Sequence, residues 1–277
     1  MTADSIPILV LDSITKLDGA AGGKVAVAAS HGGLYAAYLA AHARLRGVIL
    51  NDAGVGLEEA GIAGLAYLDA LGIAAAAVDY RSARIGDGAD MMARGLISHA
   101  NAVAERLGCR AGQACAGAAQ RLRGATPSGR EPPPYEEARF LLRHEAGEPA
   151  VWGLDSNSLA EPSDAGAILV TGSHGGLLGG KPESAIRVAA LAAVYNDAGI
   201  GIDRAGISRL PVLAARGIAA ATVSAATARI GDARSAWATG RLSALNALAE
   251  RLGVRLGMSV PEFVEHVVRS ARARPVQ

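Results

Sequence analysis

The chain carries one set of motifs twice. Asn51-Asp52-Ala53-Gly54-Val55-Gly56 returns 145 positions later as Asn196-Asp197-Ala198-Gly199-Ile200-Gly201. Ala83-Arg84-Ile85-Gly86-Asp87 returns at the same spacing as Ala228-Arg229-Ile230-Gly231-Asp232. Ala104-Glu105-Arg106-Leu107-Gly108 does the same at 249–253. Ser30-His31-Gly32-Gly33 recurs as Ser173-His174-Gly175-Gly176, and Leu11-Asp12-Ser13 as Leu154-Asp155-Ser156, both 143 positions on. Blocks held in one order at nearly one spacing imply an internal duplication. A period this long means two domain-sized copies, because solenoid units run only about 20–50 residues.

The spacing assigns residues 1–123 to a first α/β repeat and 150–277 to a second. Residues 124–149 form the connection: a Pro-rich linker over 126–134, then a short amphipathic helix over 135–144 presenting Phe140 and Leu141. Inside the first repeat, short apolar runs at 6–11, 25–29, 48–50 and 73–78 read as strands buried on both faces. Helical stretches at 34–45, 60–71 and 88–107 lie between and after them. Gly72, Gly108, Gly217 and Gly253 sit where left-handed C-caps belong. Pro211 fits only the first turn of its helix, with Ser208 as the N-cap. Alternation of this kind predicts two Rossmann-like lobes with mainly parallel sheets flanked by helices, related by pseudo-twofold symmetry. The first strand is the exception, since its link to the second is short for a crossover, so an antiparallel edge position or pairing with the other copy is expected. The antiparallel case sets Asp12 and Asp155 at the far end of the sheet.

Composition narrows the functional classes. The 27 Lys+Arg and 26 Asp+Glu nearly cancel, so no dense basic face for nucleic acid is expected. Aromatic residues make up 4% of the chain, too few for base-stacking platforms. No apolar run approaches the ~20 residues of a membrane span, and Met1–Ser5 does not read as a signal peptide. Cys109 and Cys115 lack the further ligands of a zinc site and read as buried hydrophobes in a reducing, cytoplasmic compartment.

In open parallel sheets ligands collect at the carboxyl ends of the strands, and the repeated blocks fall there. Ser30, His31, Asp52, Ser173, His174 and Asp197 are the candidate catalytic residues. Gly32, Gly33, Asn51, Gly54, Arg84 and their counterparts Gly175, Gly176, Asn196, Gly199, Arg229 are the candidate substrate-binding residues. Should the copies face each other, Ser30 could meet His174 and Ser173 could meet His31, as nucleophile–base pairs oriented by Asp52 or Asp197. The expected activity is then hydrolysis of a small amide, ester or cyclic substrate whose carboxylate an arginine grips. The same groups could instead run acid–base isomerisation or elimination on a hydroxy or keto acid. A non-catalytic sensor of anions or nucleotides is the third reading. No cofactor is expected, although His31, Asp52 and Asp87 could hold a divalent metal. The partner is a small polar or anionic molecule, with neither nucleic acid nor membrane, and a homo-oligomer is compatible with the repeat.

Several residues also have local structural readings. Asp87 and Asp232 precede helices as N-caps would. Asn51-Asp52 suits an Asx-turn, and Arg84 could pair with a neighbouring carboxylate. Ser98, Asn101 and Glu105, with Ser243, Asn246 and Glu250, are placed on one helix stripe.

Overall fold

In the computed structural model, which describes residues 6–272, the fold is mixed α/β, with two mostly parallel sheets flanked by helices. The chain divides into two compact units. The first holds the described residues up to Glu136, together with Leu178–Gly180 and Ala198–Ala205. The second holds Glu137–Leu177, Lys181–Asp197 and the described residues from Gly206 onward.

The first unit's sheet has the order β1 (Ile8–Leu11), β2 (Val25–His31), β3 (Gly47–Asn51), β4 (Ala74–Val78), β5 (Ile97–Ala100). All neighbours are parallel except β5, which runs antiparallel to β4. Runs such as Val25–Ala29 and Ala74–Val78 are fully buried because helices cover both faces of the sheet. On one face α1 (Leu34–His42) supplies Ala36, Ala37, Ala40 and Ala41, and α2 (Ala63–Ala70) supplies Leu65 and Leu68. The small side chains let these helices approach closely: a Cβ on Gly64 would stand 2.7 Å from that of Ala37. The other face packs Met91 of α3 (Gly88–Arg94), Ala104 of α4 (Ala102–Arg106) and Ala118, Ala119 and Leu122 of α5 (Cys115–Leu122).

The second unit's sheet begins with β6 (Arg139–Arg143), antiparallel to β7 (Val151–Leu154). The parallel strands β8 (Ile168–His174), β9 (Ala192–Asn196) and β10 (Ala219–Val223) follow, and β11 (Leu242–Leu245) closes the other edge antiparallel. One face is covered by α7 (Ala233–Thr239), α8 (Ala247–Arg251) and α9 (Val260–Arg272), whose Phe263, Val264, Val267 and Val268 are buried. Pro211 sits in the first turn of α6 (Arg209–Ala215), as expected, but Ser208 does not cap it: its backbone is already helical and its Oγ accepts from Leu177 N instead. Gly72, Gly108, Gly217 and Gly253 all take left-handed φ of 75–85°. Between β8 and β9 the chain is irregular, with one 3-10 turn at Pro182–Ser184. The buried Arg209 guanidinium there donates to the carbonyls of Gly176, Ser184 and Ala185, which no helix would satisfy.

Three expectations are corrected. First, β1 is parallel to β2, because the 13 residues from 12 to 24 suffice for the crossover with only a 3-10 turn in it. Second, residues 135–144 are not a helix: 139–143 form a strand that covers the β7 edge, alternating Phe140 and Leu142 with Arg139, Leu141 and Arg143. Phe140 lies over Gly153, where a Cβ would come within 2.4 Å of its ring. Third, residues 88–107 are α3, β5 and α4 rather than one helix. Gly95 ends α3 in extended geometry, and a Cβ there would stand 2.5 Å from the Met91 carbonyl oxygen. Ser98 therefore lies on a strand, while Asn101 caps α4.

Candidate functional site

The strand ends of the first unit bring His31 and Asn51 side by side, partners in the β2–β3 register; His174 and Asn196 hold the same relation in the second unit. After β2 the chain turns through Gly32, whose N–H donates to the Asn51 carbonyl at 2.8 Å and whose carbonyl accepts from Gly64. A Cβ on Gly32 would be 2.7 Å from the Gly61 oxygen, so only glycine permits this crossing.

Asn51 and Asp52 organise the next loop. Asn51 Oδ1 accepts from Ala53 N at 2.9 Å, and Asp52 Oδ1 accepts from Gly54 N at 3.1 Å and Tyr80 N at 2.9 Å. These are the expected Asx-turns. Burial pushes the Asp52 carboxyl up from its ordinary value, against the hydrogen bonds that favour its charge. In the second unit Asp197 Oδ1 accepts from Ala225 N at 2.9 Å, and Asn196 Nδ2 donates to the Ala228 carbonyl. The backbone beyond is left-handed: Ala53, Gly54, Val55 and Gly56 have φ of 50°, 76°, 60° and 75°, and Ala198, Gly199, Ile200 and Gly201 have 47°, 74°, 68° and 69°. Such φ in the β-branched Val55 and Ile200 marks stored strain. Within the first unit the two runs meet closely enough that a Cβ on Gly54 would lie 3.0 Å from the Gly199 Cα.

Ser30 Oγ accepts from Ile14 N at 3.0 Å, and Ser173 Oγ accepts from Asn157 N at 2.9 Å. Each serine thus closes the turn after the preceding strand. Arg84 lies among carboxylates: Nε donates to Asp203 at 3.0 Å and Nη1 to Asp87 at 3.2 Å, with Asp90 at 3.7 Å. Arg229 forks onto Asp232 at 2.8 and 3.0 Å. Asp87 and Asp232 are N-caps, accepting from Asp90 N and Ser235 N at 2.9 Å. Asn101 and Asn246 cap α4 and α8 and tie them to Ala75 N and Ala220 N at the sheet.

The imidazoles are held differently. His31 Nδ1 accepts from Gly33 N at 3.2 Å, and His174 Nδ1 accepts from Gly176 N at 3.1 Å. The His31 ring is partly exposed, yet its desolvation lowers the pKa to about 4, so it is neutral at pH 7. Asp12 and Asp155 were expected at the far end of the sheets. The parallel β1 and β7 place them at this end of their own sheets instead, where Asp12 accepts from Gly88 N at 3.2 Å and Asp155 from Ala233 N at 3.0 Å. Glu137 was missed altogether. Burial and the neighbouring Asp155 carboxylate push its carboxyl up to about 8.

Among the described residues no three His, Cys, Asp or Glu side chains converge as a metal would require, His31, Asp52 and Asp87 included. A cavity of about 230 Å³ in the second unit, lined by residues including Leu191, Ala219, Leu248 and Val267, adjoins the amino ends of β9 and β10, away from these loops. No described helix is long and apolar enough to cross a membrane. Compared with known proteins, the chain matches no family model, no curated protein and no solved structure.

Proposed function

We propose that the chain is a small-molecule enzyme whose sites are the loops at the carboxyl ends of its sheets, built by duplication of one Rossmann-like unit. The observation that carries the reading is a left-handed, strained loop placed beside a half-buried neutral imidazole. The strain costs of order 1–3 kcal/mol per residue and persists only where the surroundings over-determine it, as at ligand sites. In the second unit His174 and Asn196 repeat the pairing of His31 with Asn51.

Acid–base chemistry on a small hydroxy or keto acid has more support than hydrolysis. Ser30 and Ser173 already accept backbone N–H groups, and each imidazole spends Nδ1 on an amide, which leaves no base oriented for a serine nucleophile. An anion sensor built on Arg84 or Arg229 has less support, since carboxylates occupy both guanidinium groups. The close approach of Gly54 to Gly199 favours one further role for the left-handed runs, as a packing device. The buried free thiols of Cys109 and Cys115 support a reducing compartment, the cytoplasm.

The test is turnover of a panel of hydroxy acids, keto acids, small amides and esters by wild type, H31A, H174A and S30A. We expect turnover of an acid, a fall of roughly 10²–10⁴-fold in at least one histidine variant, and near-normal activity in S30A. Ester or amide turnover abolished by S30A would return the serine mechanism. Turnover indifferent to both histidines would overturn the site.

A further inference from the structure

Each strand-end imidazole is fixed by the main chain two residues on. A backbone N–H can donate only to a lone pair, so Nδ1 of His31 carries no proton, and the proton of the neutral ring is on Nε2. Gly33 makes this possible. A Cβ there would stand 2.7 Å from Nδ1 and 2.8 Å from Cε1, driving the ring away. Its backbone (φ −76°, ψ 177°) is open to any residue, so the requirement is the missing side chain, not a special dihedral. Moving the proton to Nδ1 would set two N–H donors against each other. Among the described residues Nε2 of His31 meets no hydrogen-bond partner, and the partly exposed ring leaves it within reach of a ligand.

We infer that His31 is a fixed hydrogen-bond donor through Nε2, with Gly33 as its positioning residue, and that it takes an acceptor oxygen of the ligand, the carbonyl or carboxylate of a 2-oxo acid. The ligand class rests on the reading of the strand end as a small-molecule site; the tautomer does not. Its part in acid–base chemistry is to polarise a carbonyl oxygen as a neutral electrophile, while the base comes from a carboxylate.

Long-range 1H–15N correlation of the ring nitrogens in the full-length chain tests the tautomer, with H31Q used for assignment. At pH 7 we expect a protonated Nε2 and a bare Nδ1 for His31. A protonated Nδ1, or the averaged signals of a freely exchanging ring, would overturn it. In G33A the pinned pattern should give way to averaging, and a folded G33A that keeps it removes Gly33 from the account. The wild-type spectrum decides the tautomer even where G33A fails to fold.

Titration with pyruvate and, separately, ethylammonium chloride tests the ligand class. Pyruvate should move the Nε2–H signal and ethylammonium should not. H31A should weaken pyruvate binding roughly tenfold, while H31Q, whose amide keeps a donor near Nε2, should weaken it less. A pinned Nε2–H that ignores pyruvate overturns the strand-end oxo-acid site and leaves the tautomer standing. A response to ethylammonium alone overturns the acceptor assignment.

Discussion

Protonating His31 means placing a cation where its own strand end has removed most of the water. In the folded chain it gains a proton only near pH 4, against an ordinary 6.5, so between these values the unfolded chain binds more protons. Stability should therefore rise with pH through this window and fall as the pH drops from about 6.5 to 4. For a partly exposed ring the loss is discounted to roughly 1–3 kcal/mol. Urea denaturation of wild type and H31Q at pH 7 and pH 4.5 measures it: the difference between the two should shift toward the variant at low pH, and a pH-independent difference contradicts the desolvated neutral ring. Backbone strain is the second prediction at this scale. V55G removes a β-branched side chain from φ 60° and should raise the unfolding free energy by about 0.5–1 kcal/mol after the extra entropy of glycine. The same change should weaken any ligand held by the loop. A destabilised V55G would mean that the valine contacts outweigh the strain.

Elements were legible in the sequence where a single period ran without interruption. The buried runs of β2, β3 and β4 announced parallel strands, and the glycines after α2 and α4 announced their ends. The stretch from 88 to 107 misled because its apolar spacing suits a helix throughout, while the decisive residues are two: Gly95, which meets the Met91 carbonyl, and Asn101, which caps α4. Both recur 145 positions on, as Gly240 and Asn246, and that recurrence was the available signal. Asn101 joins four backbone groups, accepting from Ala75 N and Ala104 N and donating to Ile73 and Leu65 carbonyls. N101A should cost about 2–4 kcal/mol, because buried partners are left unpaired. A loss under 1 kcal/mol in equilibrium unfolding would show that water replaces the side chain. The strand at 139–143 misled for another reason. Its pairing with β7 is a tertiary fact, and locally Arg-Phe-Leu-Leu-Arg suits helix as well as strand.

For the molecule as a whole, the repeated blocks mark the strand ends in the sequence, but not what each residue does there. Asp87, Asp232, Asn51 and Asp52 spend their side chains on caps and turns, Arg84 and Arg229 on ion pairs, and Ser30 and Ser173 on backbone N–H groups. Recurrence in two copies selects structural necessity and chemistry alike, so it cannot separate them. The hydrogen-bond partners can. They leave the His31 imidazole, held at Nδ1 by the Gly33 N–H and partly exposed, as the group whose chemistry faces outward from the scaffold. Asp12 and Asp155 were misplaced because the directions of β1 and β7 depend on crossovers whose lengths lay at the margin of the rule.

Backbone amide shift mapping of the labelled chain during titration with pyruvate tests the central claim most directly. The account predicts perturbations concentrated at residues 31–33 and 51–56, or at 174–176 and 196–197, with both sets responding if the two sites are active. Shifts confined to the cavity bordered by Leu191, Ala219, Leu248 and Val267, or none at all, would contradict it.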